Sequence, residues 1–431
     1  MMSAPFNFSF LILFNTKKEF CIFENRTKKI IFMAKKHTIV KLPGDGIGRV
    51  VLEEAIRVLE AAGFDADYVE GDIGWEFWKT EGNPLPQRTI DLIKKHKTAL
   101  FGAITSKPKD AALEELNPEL QNKGYVYSSP IVGLRQHFNL DICQRPCKTY
   151  KGNPLNFIRR DGKGGTEEPE IDAVIFRQNT EGLYGGVEWS DPPKQIHDAL
   201  MTHPKFQKNF GEVAKEEISI STRIFTQKAT ERILRAAFEH AKKFGYKSVT
   251  VCEKPNVIRE TSGMMFAMAK EIQKKDYPNI ELWNTNIDAQ MMWLTKTPEN
   301  YGVIVSGNMF GDIVSDGYAG LIGGLGFACS AQINPDNGIG VFEPTHGSAP
   351  KYAEFDVSIT NPVAMIVSAC LMLDHVKEYD MAERIRNAVA EVIAEGEVRT
   401  YDMMKLKGSP DVTKQGAAST QQMADAIIRK L

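Results

Sequence analysis

The sequence predicts an α/β fold, and three observations predict it. From residue 37 onward, short apolar runs rich in Val, Ile and Leu alternate with longer segments of helical periodicity. Gly- and Pro-containing turns mark the junctions between them. The runs are apolar without alternation, as strands buried between layers of helices must be.

Taken in order, His37–Leu42 (HTIVKL) is a β-branched run that ends at the turn Pro43-Gly44-Asp45-Gly46. Val50, Val51, Ala55, Val58 and Leu59 then recur at helical spacing as far as Gly63. Residues 67–72, 98–104, 172–179, 248–254 and 301–308 read as buried strands. Residues 87–95, 229–244, 261–274, 362–378, 381–395 and 419–430 read as amphipathic helices. The polar stretch 151–170 reads as an exposed loop. Residues 185–225, which hold Pro192, Pro193 and Pro204, have weak periodicity and read as an excursion from the main sheets. Residues 1–32 are unlike the rest of the chain. Their apolar run Phe6–Phe14 is far short of the roughly 20 residues that span a bilayer, and the segment has neither a charged start nor a small-x-small cleavage site. It is expected to be a disordered extension or a mis-assigned start, with the functional chain beginning at Met33.

Composition narrows the function. The 431 residues suggest two or three domains; 42% are hydrophobic and 25% charged, ordinary values for a soluble globular chain. That balance excludes a disordered chain and a polytopic membrane protein. The 53 basic residues against 55 acidic ones, a net charge of −2, argue against a dedicated nucleic-acid binder. Six cysteines without a CxxC pair point to a reducing, cytoplasmic setting rather than a disulfide framework. Cys143 and Cys147 have no second Cys/His pair near them to complete a zinc site.

Five groups of residues could carry chemistry. LPGDGIG (42–48) lies between a strand and a helix, but Arg49 occupies the third glycine position of a dinucleotide fingerprint, so a tight strand–helix turn fits better. In GNMFGDIVSDGYAGLIGGLG (307–326), Asp312 and Asp316 are spaced to share one helix face. With Asp288 they would supply three carboxylates to a hard divalent cation; a solvated acidic face is the alternative. No basic residue is near them in sequence. Arg135, Arg145 and Arg177 stand in apolar contexts, suited either to bidentate carboxylate capture or to structural ion pairs. Tyr184 and Lys254 follow apolar strands and could act as acid or base. GVFEPTHGSAPKYAE (340–354) reads as a Gly/Pro/Ser-rich loop with His346, Lys351 and Tyr352, and Asn361-Pro362 opens the next helix. It is either a phosphate-binding segment or an ordinary surface loop.

Taken together, PGDGIG, LRQ…LDICQRP, VIFRQNTEGLYGG, NMFGDIVSDGYAGLIGGLG and FEPTHGSAPKYA resemble the β-decarboxylating dehydrogenases of the isocitrate/isopropylmalate type, from about residue 37 to the end. The resemblance implies a two-domain α/β fold that is not a Rossmann fold. Its large cofactor domain would comprise 33–140 and 325–431. Its small domain would comprise 141–324, with a dimerisation clasp near 185–225. It implies a homodimer with shared active sites, acting on a small hydroxy di- or tricarboxylic acid, without nucleic acid or membrane partners. Arg135, Arg145 and Arg177, with Ser129, would bind the substrate carboxylates. Asp312 and Asp316, with Asp288 of the partner subunit, would hold Mg²⁺ or Mn²⁺. Lys254 of the partner subunit would help remove the hydroxyl proton, and Tyr184 would protonate the enol. Thr105, His346, Gly347, Lys351, Tyr352, Asn361, Tyr401 and Lys405 would bind the cofactor.

Members of the family that use NAD commonly carry an Asp after the THGSAP-type motif, whereas this chain has Lys351-Tyr352. The resemblance therefore implies NADP, and with it isocitrate oxidation of the tricarboxylic acid cycle type. Homoisocitrate and 3-isopropylmalate are the alternatives within the family, and a non-catalytic regulatory subunit is the alternative outside catalysis. Three features depart from the bacterial isocitrate pattern. Ile131 stands where Asn is usual, Gln178 stands where Glu is common, and the stretch 107–124 is long.

Overall fold

The structure, a computed structural model, describes residues 37–431. The readings of residues 1–32, of a start at Met33 and of Cys21 fall outside the described residues. Strands β1 (His37–Gly44), β2 (Ala66–Glu70), β3 (Thr98–Ala103), β4 (Ile142–Lys148), β5 (Asp172–Gln178), β6 (Ser248–Glu253), β7 (Glu281–Asn286), β8 (Val303–Ser306), β9 (Cys329–Asn334) and β10 (Ile339–Pro344) form one sheet. The ten strands run in the order β7-β6-β8-β5-β4-β9-β10-β3-β1-β2. Both ends of the sheet are parallel. In its middle β4 is antiparallel to β5 and β9, and β9 is antiparallel to β10. The two parallel ends thus meet at an antiparallel seam.

All six strands anticipated from apolar runs are present, and four more join them. β4 contains Arg145 and Pro146, which break an apolar pattern. Its pairing with β9 covers only Ile142–Gln144, so Pro146 lies past the end of that ladder, where a missing N–H is tolerated. β7 is an edge strand with an exposed pattern. β10 corrects the reading of 340–354 as a loop. Despite Gly340 and Pro344 its six residues are all buried, paired with β3 on one side and β9 on the other.

Helices α1 (Ile47–Ala61), α2 (Trp75–Glu81), α3 (Gln87–His96), α4 (Pro130–His137), α5 (Gln227–Phe244), α6 (Thr261–Asp276), α7 (Ile287–Lys296), α8 (Asn308–Leu321), α9 (Val363–His375), α10 (Tyr379–Glu395) and α11 (Thr420–Ile428) cover both faces. Strand alternation sets which side chains they meet. Ile39 and Leu100 join Val51 and Leu52 of α1 in one core cluster, whereas Val40, Leu42 and Phe101 join Ile93 and Leu134 of α3 and α4 in another. At the far end Val174, Phe176, Val249 and Val303 pack with α5 and α6. Helix α9 is buried without interruption from Val363 to Leu373, which places it at the centre of the largest cluster.

The excursion at 185–225 consists of short helices Lys194–Met201 and Pro204–Phe210 and a separate two-stranded antiparallel ladder, Glu188–Trp189 with Ile220–Ser221. Neither helix has a buried residue. The polar tip of 151–170 folds as the hairpin Arg159–Arg160 with Thr166–Glu167. Cys143, Cys147, Cys252, Cys329 and Cys370 are free and buried. Among the described residues no helix is long and apolar enough to cross a membrane.

Candidate active site

The glycines of PGDGIG serve close packing. Gly44 has φ +66°, and a Cβ there would lie 1.9 Å from the Ala103 carbonyl oxygen; one on Gly48 would lie 2.3 Å from the Ala103 nitrogen. β1 and α1 are thereby pressed against the end of β3, in agreement with a tight strand–helix turn. Asp45, between these glycines, is buried. It accepts hydrogen bonds from the backbone N–H of Trp75 at 2.7 Å and of Thr105 at 2.8 Å. Burial raises its pKa against the pull of those two N–H groups.

Beyond the carboxyl ends of β3 and β10 lies a cavity of about 580 Å³. Of the residues singled out from sequence, it brings together Thr105, Ser129, Arg135, Arg145, His346 and Gly347. Arg135, on α4, donates from Nε to Gln332 Oε1 at 2.6 Å and from Nη2 to Glu343 Oε1 at 3.3 Å. Glu343 is buried on β10 and also accepts from the Gln332 amide. Burial raises the Glu343 pKa, with Arg135 and Arg145 opposing. Arg145, buried on β4, donates from Nη1 to Ser315 Oγ at 2.7 Å, Asp312 Oδ1 at 3.0 Å and Asp316 Oδ1 at 3.3 Å. Its Nε is buried without a partner.

Arg145 links the cavity to the acidic face of α8. Arg177, on β5, donates from Nε to Asn308 at 2.9 Å and from Nη1 to Asp312. Burial and then Arg145 pull its pKa down to about 10. Its guanidinium carbon lies 5.7 Å from the Tyr184 ring centroid. Tyr184 is half exposed, and burial and then Asp312 raise its phenol pKa. Asp312 and Asp316 do share one helix face, as their spacing implies, but they are not without basic partners. Arg145 and Arg177 arrive from strands far away in sequence. Lys254 pairs with Asp288 on α7 and holds that carboxyl below the usual carboxylate range. Neither of them lines the cavity. Among the described residues no group of three His, Cys, Asp or Glu side chains is placed to hold a metal within one chain. Two hard carboxylates on one helix face fit part of a Mg²⁺ or Mn²⁺ shell, and a third donor has to come from elsewhere.

On the other side of the cavity, Thr105 Oγ1 lies 2.7 Å from Ser348 Oγ. His346 Nδ1 contacts the Gly347 carbonyl at 3.0 Å, while His346 Nε2 and Thr345 Oγ1 are buried without partners. Burial lowers the His346 pKa. A Cβ at Gly347 would meet nothing within 4 Å, so the backbone there faces open space. Lys351, Tyr352 and Tyr401 form a second group outside the cavity lining. The two rings meet edge-on at 5.6 Å, and Lys351 Nζ lies 6.0 Å from the Tyr352 centroid. Burial and then Tyr352 raise the Tyr401 pKa. Asn361 Nδ2 donates to Asp402 at 3.1 Å, and the exposed Lys405 donates its N–H to the Asp402 carbonyl. Orphaned polar atoms beside an open backbone fit a nucleotide cofactor.

Asp45, Glu343, Gln332 and Lys107 also shape the site. Asp45 lies within a motif that reads only as a turn, and Glu343 within a segment that reads as a loop.

The model of the isocitrate/isopropylmalate dehydrogenase family matches residues 38–427. Protein DlpA of Legionella pneumophila subsp. pneumophila is 40% identical over 392 residues, 90% of this chain but 58% of its own length, so this chain spans little more than half of it. The homoisocitrate dehydrogenase of Methanocaldococcus jannaschii is 37% identical, covering 90% of this chain and 95% of its own. The crystal structure of isocitrate dehydrogenase from Methylococcus capsulatus superposes with a TM-score of 0.73 at 34% identity, covering 91% of this chain and 99% of that one. On this ground the chain belongs to the isocitrate/isopropylmalate dehydrogenase family.

Proposed function

We propose that the protein oxidises and decarboxylates isocitrate to 2-oxoglutarate and CO₂ with NADP and Mg²⁺ or Mn²⁺, acting as a cytoplasmic homodimer. The observation that carries this reading is the cavity in which Arg135 and Arg145, beside Ser129, face Thr105 and His346. Carboxylate-binding cations and a nucleotide-compatible wall share one space. The nicotinamide, when bound, accepts the hydride, and the divalent cation, when bound, acidifies the substrate hydroxyl and stabilises the enolate charge.

The chain's own residues would do the rest. Arg135, Arg145 and Arg177 bind and orient the carboxylates, and their burial excludes the water that would weaken those ion pairs. Asp312 and Asp316 would hold the cation, with Asp288 of the partner subunit as third donor. Lys254 of the partner subunit would help remove the hydroxyl proton, and its pairing with Asp288 keeps the two together. Tyr184, with its phenol proton held by a raised pKa, would deliver that proton to the enol carbon. Lys351, Tyr352, Tyr401 and Lys405 would face the 2′-phosphate, with Asn361 toward the adenosine end. The lobes would be 33–140 with 325–431, and 141–324, meeting near the antiparallel seam, and residues 185–225 would be the clasp between subunits. Their two helices without buried residues suit such a role.

Homoisocitrate is the second reading. Ile131 lines the cavity and presents no amide to a carboxylate there. Steady-state kcat/KM for isocitrate, homoisocitrate and 3-isopropylmalate, each with NADP and with NAD in the presence of Mn²⁺, tests the proposal. Isocitrate turnover no better than homoisocitrate turnover refutes it.

A further inference from the structure

The cavity has one more cation, Lys107, which belongs to none of the roles above. It lines the same space as Ser129, Ile131 and Arg135 and opens the long segment 107–124. Its side chain is held on two sides. Nζ lies 5.0 Å from the Trp75 ring centroid and bonds Glu115 Oε1. Trp75 Nε1 in turn donates to Glu115 Oε2 at 2.6 Å, so both carboxylate oxygens are engaged. Tyr127 packs edge-on against Trp75 at 5.1 Å and donates its hydroxyl to the Thr105 carbonyl at 2.8 Å. The segment is therefore tied into the cavity wall. An ammonium has three donors, and Glu115 takes one.

Charge assigns the remaining donors. Each of the three cations is balanced by carboxylates, Arg135 by Glu343, Arg145 by Asp312 and Asp316, and Lys107 by Glu115, and a substrate with three carboxylates calls on all three. At the Ser129 end the other lining groups are a neutral hydroxyl and the apolar Ile131. With Arg135 and Arg145 engaged by two carboxylates, a third substrate carboxylate placed there would find in Lys107 the further cation that lines this space. An alkyl group placed there would instead bury the ammonium against hydrocarbon, at a cost. Resting on the dehydrogenase reading above, we infer that Lys107 is a specificity-determining residue. It binds the distal carboxylate of a tricarboxylic substrate and selects against acids with an apolar group in that place.

Equilibrium titration of the Mn²⁺-loaded full chain with isocitrate, homoisocitrate and malate tests this, because malate keeps the hydroxy-dicarboxylate but lacks the third carboxylate. Lys107→Met and Lys107→Gln should weaken isocitrate or homoisocitrate about tenfold to a hundredfold and malate no more than about twofold, with Lys107→Arg recovering most of the loss. Equal weakening of all three acids, or weakening of none, overturns the assignment. Thermal melts of the variants identify any that fails to fold, and the remaining neutral variant then carries the comparison. Turnover by the unmodified chain tests the isocitrate reading separately, so either idea can fail alone.

Discussion

Asp45→Ala perturbs the site through its floor. The carboxylate accepts two backbone N–H groups, from Trp75 at 2.7 Å and Thr105 at 2.8 Å. The Trp75 amide is buried, so without its acceptor it bears a desolvation penalty of about 1–3 kcal/mol. The Thr105 amide lies beside the cavity, where water can replace the lost acceptor, so about 1 kcal/mol is its share. Removing the carboxylate also relieves the cost of burying it, which is what raises its pKa, and this offsets part of the loss. The net destabilisation is about 2–3 kcal/mol. Over roughly 395 residues unfolding entropy is about 0.8 kcal/mol/K, so the melting temperature should fall by about 2–4 °C. Asp45→Asn keeps one acceptor oxygen and should lose about half as much. Thr105 loses its anchor in both variants, so the KM for the nicotinamide cofactor should rise more than the KM for the acid. Calorimetric melts with steady-state kinetics read both effects. A melting temperature within about 1 °C of the unmodified protein for Asp45→Ala, with unchanged cofactor KM, refutes the reasoning.

Further outcomes follow from the same geometry. Lys351→Asp with Tyr352→Ile should lower the NADP-to-NAD ratio of kcat/KM by about tenfold or more, since a lost charge-assisted contact is worth about 1.5–3 kcal/mol; an unchanged ratio removes these residues from the 2′-phosphate site. Asp312→Asn and Tyr184→Phe should each lose most turnover while remaining folded by circular dichroism. Asp312→Asn should also lower stability by about 1–3 kcal/mol, because buried Arg145 and Arg177 lose a shared counter-charge. Burial pulls the His240 pKa down to about 4, below its unfolded value near 6.5. Its neutral form is therefore favoured on folding: that stability is complete above pH 6.5 and is lost as pH falls toward 4. Between pH 7.5 and 5 the loss should be about 2 kcal/mol in urea unfolding and absent in His240→Leu; equal slopes for the two proteins reject it.

The parts of the fold that were legible in sequence are those whose pattern is local. β5, β6 and β8 are apolar runs because helices cover both their faces, and nothing distant has to be known to read them. β4 fails that reading because Arg145 sits where an apolar residue would be expected. Its burial is permitted only by Asp312, Ser315 and Asp316, some 170 positions further along the chain. β10 fails for a related reason. Gly340 and Pro344 are turn formers in isolation, but the ladders to β3 and β9 satisfy the strand from both sides. β7 lacks the apolar signature because its side chains are exposed or only partly covered.

The site shows the same division between residue type and partner. The spacing of Asp312 and Asp316 correctly places both carboxylates on one helix face. Their absence of basic neighbours in sequence implied unanswered charge, yet two buried arginines answer it in the fold. That pairing changes what each residue can do. Arg145 bonds the acidic face through Nη1 while its Nε is buried and unpaired, so one guanidinium touches both the candidate metal face and the cavity. A substitution at Asp312 therefore cannot act on metal affinity alone, because it also changes the charge that holds Arg145 in place. Lys107 marks the opposite limit. The long segment that carries it was legible as a departure, but the ties of its ammonium to Trp75 and Glu115 arise only in the fold, and no spacing rule joins residues 75, 107 and 115.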